Sequence, residues 1–593
     1  MSKPLLNDAS SIMLNPGGFA ENFAGNALVG STSVDNTLAS NTPLVPAVPA
    51  APAITGGRFA FLDRSRTIAP TTYSRWLIPP AALAIHLSIG QVYALSVFKP
   101  LLEARFNVAH TAIGWIFSIA ILMLGLSAAF AGTWVEKVGP RKAMALSTVL
   151  WVTGFLVGSL GIATGHLWLL YLGYGVIGGM GLGIGYVSPV STLIKWFPDR
   201  PGMATGLAIM GFGGGAAVAA PLSTALLNHF SRSWSNAHPD AGGLSVMPPA
   251  ELSQVVVRTF LTLGAIYLLV MVLGWICIRI PAPGWKPAGW EPKPVSANSL
   301  ISHNNVSARS AIRTPQFWLL WVIMFVNITA GISIVENASI MIGNYFPALI
   351  AGGAAGYVGL NSLFNMGGRF GWSSLSDKVG RKNVYIMYLG LGAILFVALS
   401  FLHVTTMWVF LAISALILSF YGGGFATLPA YIKDLFGGYQ VSAIHGRVLT
   451  AWSAAGIAGP LITNTLIDRR EAAGIEGPAL YSVSLRVMAA LLLIGFIANL
   501  LMRPVAARWH EPDVAAPAPG AIPDGHGGYI LPDPADIGGT TNLRVGSLEF
   551  LTVRKHARGG LLRIVPIILW VIVGGGLAYG LFQTILKAAH LFG

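Results

Sequence analysis

A chain of 593 residues in which 54% are hydrophobic and only 10% are charged does not fold as a water-soluble globule, because soluble domains carry about 25% charged residues. With a mean hydropathy of +0.67 it is a polytopic membrane protein. Its net charge of +14 then reads as basic loops on one side of a membrane rather than as a nucleic-acid surface. The single cysteine, Cys277, excludes an intrachain disulfide and gives no metal site.

Residues 1–72 are rich in Asn, Ala, Ser, Pro and Gly, lack periodicity and include the Pro/Ala run PAVPAAPAI at 46–54. They are expected to be a disordered tail, and residues 1–28 show no signal peptide. Apolar runs long enough to span a bilayer follow at 76–98, 109–131, 143–163, 167–190, 203–227 and 257–279. After a polar stretch six more lie at 316–345, 352–375, 383–402, 407–431, 444–466 and 482–502, and a last one at 564–586. The predicted organisation is a six-helix half over 73–280, a cytoplasmic linker over 281–314 and a second six-helix half over 315–503. A flexible linker over 504–560 and a thirteenth helix within 561–593 complete it. Lys and Arg concentrate in the loops that share a side with the amino terminus (Lys137, Arg141, Lys142, Lys195, Arg200, Lys378, Arg381, Lys382, Lys433). The positive-inside rule then puts the amino terminus in the cytoplasm and the carboxyl terminus outside.

The two halves repeat. GTWVEKVGPRK at 132–142 ends the second run and SSLSDKVGRK at 373–382 ends the eighth, with Glu136 and Asp377 241 residues apart. GIGYVSPVSTLIKWF at 183–197 matches GGGFATLPAYIKDLF at 422–436, with Lys195 and Lys433 238 residues apart. Parallel six-helix repeats describe a facilitator-type transporter. Each basic turn has an acid able to cap a helix end and an arginine able to bridge neighbouring helices. Glu136, Arg141, Lys142, Asp377, Arg381 and Lys382 are therefore read as a cytoplasmic gating latch. The Gly-rich runs 175–185, 211–215 and 422–424 precede no strand and read as close helix packing.

With these turns the chain resembles the major facilitator superfamily, and more narrowly the oxalate/formate antiporter family. The narrower likeness rests on KWFPDRPGMATG (195–206), TPQFWLLW (314–321), YGGGFATLPAYIKDLFG (421–437) and HGRVLTAWSAAGIAGP (445–460). It covers about 74–503 and leaves out the tail, 504–560 and the thirteenth helix, which looks like a small accessory subunit fused to a transporter. The resemblance implies an all-α twelve-helix fold, here with one extra helix. It also implies secondary transport of a small organic anion across a bacterial cytoplasmic membrane, as an antiporter or a symporter.

Arg369 lies inside the eighth apolar run, about 12 Å from its charged end at 1.5 Å per residue. A charge kept there at a cost of roughly 2.5–3.5 kcal/mol is a site candidate, and its planar fork matches a carboxylate. Asn365 sits one turn away on the same face. The resemblance also implies a carboxylate-binding arginine in this helix. The alternative for Arg369 is a salt bridge to Glu336, which is itself read as a possible proton site. Helix 1 offers Gln91 and Tyr93 to the substrate, with His86 a weaker candidate. Family members that take oxalate have a lysine where this chain has Trp452. That departure favours a monocarboxylate of the formate, pyruvate or lactate type, with an oxalate/formate exchanger as the alternative. From a different class, a receptor or sensor on a transporter scaffold is the competing reading. No Ser/His/Asp set, metal cluster or cofactor fingerprint appears, so an enzyme is not expected and no cofactor is assigned. The expected partners are the anion and membrane lipids, with no nucleic acid, and the chain is expected to act as a monomer.

Overall fold

The structure is a computed structural model that describes residues 60–70, 73–108, 110–239, 244–282, 285–291, 300–302, 304–347, 353–401, 406–511, 522–523, 529–530 and 561–589. Thirteen long helical segments form the body. The first six are α1 (Pro79–Ile89, continued as a 3-10 stretch Gly90–Val97), α2 (His110–Val138), α3 (Pro140–Thr164), α4 (Leu167–Trp196), α5 (Pro201–Ala237) and α6 (Pro249–Cys277). The second six are α7 (Pro315–Tyr345), α8 (Gly353–Val379), α9 (Arg381–Phe401), α10 (Met407–Phe436), α11 (Val441–Val448 and Thr450–Ala472) and α12 (Ser482–Leu500). The last is α13 (Leu561–Ala589). The fold is the expected all-α twelve-helix arrangement with one helix added.

Eleven of these segments are long and apolar enough to cross a membrane on composition alone, and the two that fall short are α8 and α11. Those two carry Arg369 and Trp452, and they pack against the opposite half through small residues. A Cβ added at Gly202 or Gly206 of α5 would strike Ser373 of α8, and one at Gly132 of α2 would lie 2.8 Å from the Cα of Ala443 in α11. In lipid, where the hydrophobic effect does not drive helices together, such close backbone approach is what holds them.

Both basic turns contain a glycine in the left-handed region, Gly139 at φ +85° and Gly380 at φ +90°. Only a residue without a Cβ adopts that conformation at no cost, so the glycine reverses the chain between α2 and α3 and between α8 and α9.

Parts of the expected tail and of the two expected linkers are packed. Ala69 is buried, Ile280 and residues 67–69 pair through their backbones, and the Phe61 carbonyl accepts from Arg141, so the described part of the tail expected to be disordered up to residue 72 is packed, and the rest of that tail lies outside the described residues. The linker over 281–314 sends Ser302 N to Asp434 O and Val306 N to Phe436 O. Glu511 N bonds Asn305 O, which fixes the start of the 504–560 segment. Helix α13 lies against α1, α5 and α8, and so touches both halves. Trp570 donates to the Trp76 carbonyl at 3.1 Å, Leu569 and Val573 are buried, and Gly359 of α8 abuts Thr584.

Candidate functional site

The end of the bundle that bears the two turns is closed by the acids. Helix α5 begins without a side-chain cap of its own, so the amides of its first turn need an outside acceptor. Asp377, at the end of α8 in the other half, accepts from Gly202 N and Met203 N at 2.8 Å each and from Arg381 Nη2 at 2.6 Å. Helix α11 likewise begins uncapped, and Glu136 of α2 accepts from Ser442 N at 3.1 Å and from Lys195 at 2.9 Å. Each acid thus caps the helix start of the opposite half. In addition, Lys433 reaches the Pro198 carbonyl at 3.2 Å.

The basic residues of the turns behave differently. Arg381 pairs with Asp377 and Asp434, and Arg141 donates to the carbonyls of Phe61, Ile276 and Ile278. Each therefore ties helices within its own half. Lys382 donates to the carbonyls of Leu500 and Met502, and Lys142 is exposed. Arg381 stands four residues after its acid, whereas Pro140 sets Arg141 five after Glu136, and the partner of Glu136 is Lys195 instead.

Arg369 is fully buried. Its Nε donates to Asn365 Oδ1 at 3.1 Å and its Nη1 reaches the Ile209 carbonyl of α5 at 3.5 Å, while Nη2 has no hydrogen-bond partner among the described residues. The guanidinium lies 5.0 Å from the Phe425 ring centre. It crosses to the other half over Gly213, where a Cβ would fall 2.5 Å from Nε. A buried unpaired donor costs about 1–3 kcal/mol, and more when charged. The arrangement is stable with an acceptor, best an anion, at Nη2.

Aromatic rings pack beside this arginine. Trp452 is buried and meets Phe425 at 4.6 Å, Phe212 at 5.5 Å and Tyr186 at 5.6 Å between ring centres. Phe212 also meets Tyr93 and Tyr186 at 5.3 Å each. The Tyr93 and Tyr186 hydroxyls have no partner among the described residues.

The structure therefore brings Arg369, Asn365, Tyr93 and Trp452 together. Gln91 is turned away: its carbonyl accepts from Tyr174 at 2.6 Å, and the Tyr174 ring packs on Trp151 and Phe155 inside the first half. Two residues apart on a helix do not share a face, so Gln91 and Tyr93 were never able to line one site together. Glu336 lies on an exposed face of α7, where Asn464 of α11 donates to it at 3.5 Å. Twenty-one residues into α7, it stands roughly 19 Å further along the bundle axis than Arg369 at 1.5 Å rise per residue. That offset rules out the direct ion pair with Arg369. Phe212 and Phe425 were not singled out in the sequence, and Gly213 was read only as part of a close-packing glycine run, because nothing in their spacing distinguishes them from ordinary helix packing.

The family model of the Major Facilitator Superfamily matches residues 81–368 and again 350–593. The oxalate:formate antiporter of Oxalobacter formigenes is 24% identical over 387 residues, covering 65% of this chain and 83% of that protein. Apicoplast pyruvate carrier 1 of Toxoplasma gondii is 26% identical over 388 residues, covering 59% of this chain and 68% of that protein. Among solved structures, the transporter FucP in its outward conformation superposes with a TM-score of 0.54 at 18% identity, over 72% of this chain and 99% of that one. That last likeness bears on the fold alone.

Proposed function

The chain belongs to the Major Facilitator Superfamily, and on that premise we propose that it is a secondary transporter of a small organic anion, with Arg369 as the carboxylate-binding group. The observation that carries this reading is the buried guanidinium whose Nη2 has no partner among the described residues while Asn365 and the Ile209 carbonyl hold the rest of the fork. The two anion carriers to which the chain is similar support it.

Trp452 argues for one carboxylate rather than two. A dicarboxylate on Arg369 would leave its second charge against the Trp452 and Phe425 rings, and an uncompensated charge in such surroundings is costly. Monocarboxylates of the formate, pyruvate or lactate type avoid this. The trans-capped turns are the gate: with Asp377 and Glu136 engaged, the turn-bearing end is shut. On the positive-inside pattern that end is cytoplasmic, the amino terminus lies inside and the helix after residue 561 runs outwards.

The test is transport in proteoliposomes with a panel of mono- and dicarboxylates competing against a labelled substrate. Monocarboxylates should compete best, and Arg369→Ala should transport none of them. Oxalate competing best would overturn the reading of Trp452. Normal transport by Arg369→Ala would overturn the site.

A further inference from the structure

The segment ahead of α1 grips both turns of the first half that meet the second. Arg64 Nη1 donates to the Glu136 carbonyl at 3.0 Å, and its Cβ lies 3.0 Å from where a Cβ on Gly139 would stand. The chain then pairs with the residues after α6, through Ala69 N to Ile280 O at 2.9 Å and Ile280 N to Thr67 O at 3.0 Å. It finishes on the α4–α5 turn, residues 197–200. There Arg75 Nη1 and Nη2 donate to the two carboxylate oxygens of Asp199 at 2.6 and 3.1 Å, and its guanidinium carbon lies 4.6 Å from the Phe197 ring centre. Tyr73 and Trp76 meet Trp196 and Phe197 at 5.9 and 5.1 Å between ring centres.

The α4–α5 turn is also where the second half takes hold. Lys433 reaches the Pro198 carbonyl, and Asp377 accepts from the amides of Gly202 and Met203. Asp199 stands between those contacts. Pro198 and Pro201 have no N–H to donate. Within the turn, Arg200 N to Phe197 O at 3.1 Å is the one backbone bond among the described residues. Local bonding therefore does little to fix the direction of the first α5 amides. Arg75 supplies what the turn lacks, because a two-pronged bond to a carboxylate has a defined geometry and the Phe197 ring holds the guanidinium face. Arg200 also lies near Asp199, but at 3.8 Å and with 63% of its side chain exposed it is outside hydrogen-bond range.

We propose that Arg75 is a positioning residue of the gate: by holding Asp199 it sets the α4–α5 turn so that the Gly202 and Met203 amides face Asp377. This rests on the reading of the trans-capped turns as the gate. Arg75 acts through Asp199 and the backbone that follows it, so its loss has a definite consequence. Amides free to swing meet the acid of the other half less often, and the turn-bearing end opens more. That effect vanishes once Asp377 is gone. A segment that only stabilised the first half would act independently of Asp377 instead.

Thiol labelling of the purified full-length protein tests this without any substrate. Cys277, the one native cysteine, is changed to Ala. Ser442→Cys then supplies a reporter at the start of α11, where the Ser442 side chain is buried and its hydroxyl bonds nothing among the described residues. A maleimide that reacts slowly compared with opening reads the open fraction of the turn-bearing end. In this background Asp377→Ala should raise the labelling rate by about tenfold, the loss of a charge-assisted bond. Arg75→Ala should raise it by about fivefold, the upper end for a partly exposed ion pair. The two together should stay within about twofold of Asp377→Ala alone, where independent effects would multiply to about fiftyfold. Asp199→Asn, which removes the same tie from its other end and keeps the side-chain shape, should repeat Arg75→Ala in both backgrounds. A rate unchanged by Arg75→Ala and Asp199→Asn but raised by Asp377→Ala would overturn the proposal, and so would a rise of about fiftyfold in the double variant. An Asp377→Ala protein labelled no faster than the reporter background would overturn the gate reading, and the proposal with it.

Discussion

The middle of the bundle and its turn-bearing end handle buried charge in opposite ways. At the end, Asp377 takes three donors and Glu136 two, and each spans the gap between the halves. In the middle, Arg369 has a cation held on two sides and left open on the third. Satisfied charges that cross an interface tie the two halves together, whereas a buried unsatisfied one calls for an acceptor. A helix cap contributes about 1 kcal/mol, and a charged one up to about 2 kcal/mol where partly buried. Two caps therefore supply a few kcal/mol. That is enough to bias two conformations of the molecule and too little to lock either.

The sharpest way to break the comparison is to empty the middle. Arg369→Ala should lower transport by at least about 100-fold, since truncating one partner of a buried charged pair costs 2–5 kcal/mol. Arg369→Lys should fail almost as badly, because an ammonium keeps the charge and loses the fork that Asn365 and Ile209 hold. Gly213→Ala changes no charge at all, yet its methyl would occupy the space of Nε. It should weaken substrate binding by about tenfold, the equivalent of 1.4 kcal/mol, with the protein still at normal abundance in the membrane. Wild-type affinity in Gly213→Ala would show that the guanidinium is not held where the structure places it.

Altering the end should change rates instead. Asp377→Asn keeps one acceptor for the α5 amides but gives up the charge and the second acceptor. Transport should fall by about tenfold, the loss of one charge-assisted bond, while binding measured at equilibrium stays within about twofold. The opposite split, normal rate with poor binding, would make the turn part of the site rather than of the closure. A smaller change is expected for Trp452→Lys, which places a second cation beside Phe425 and Phe212. Competition by oxalate relative to lactate should improve by up to about tenfold, the scale of one buried charge-assisted bond. An unchanged ratio would separate Trp452 from selectivity.

Much of this was legible in the chain itself. Thirteen apolar runs, the 241-residue repeat of the turns and the charge at Arg369 stand out against a background with 10% charged residues. The partners of the acids were not, because they are backbone amides of Gly202, Met203 and Ser442, and every residue but proline carries the same amide. The direction of Gln91 was legible and was misread, since a residue two positions from Tyr93 points elsewhere in any helix. Tyr186 and His445 gave no signal, because only the crossing of α4 and α11 brings them together. The packing of 60–70 was hidden by composition, because its anchors are single residues, Ala69 and the Phe61 carbonyl, in a stretch without period.

The smallest effect is expected from the helix that the resemblance did not cover. Helix α13 touches α1 and α5 in one half and α8 in the other, and among the described residues it does so through van der Waals contact and the Trp570–Trp76 hydrogen bond. In lipid such contact is exchanged for contact with acyl chains, so its removal costs only the difference in packing. Ending the chain after Glu511 keeps the bond from Glu511 N to Asn305 and removes α13 whole. Transport per molecule should then stay within about threefold of wild type, since lipid replaces most of the packing that is lost. The midpoint of thermal unfolding in detergent should drop by a few degrees, because Leu569 and Val573 no longer cover the groove between α1, α5 and α8. The two readouts together decide the role of the helix. A folded, membrane-inserted truncation that transports nothing would show that α13 takes part in the rocking of the halves it bridges. Unchanged rate and unchanged midpoint would show that its packing on α1, α5 and α8 contributes nothing to the stability of the body.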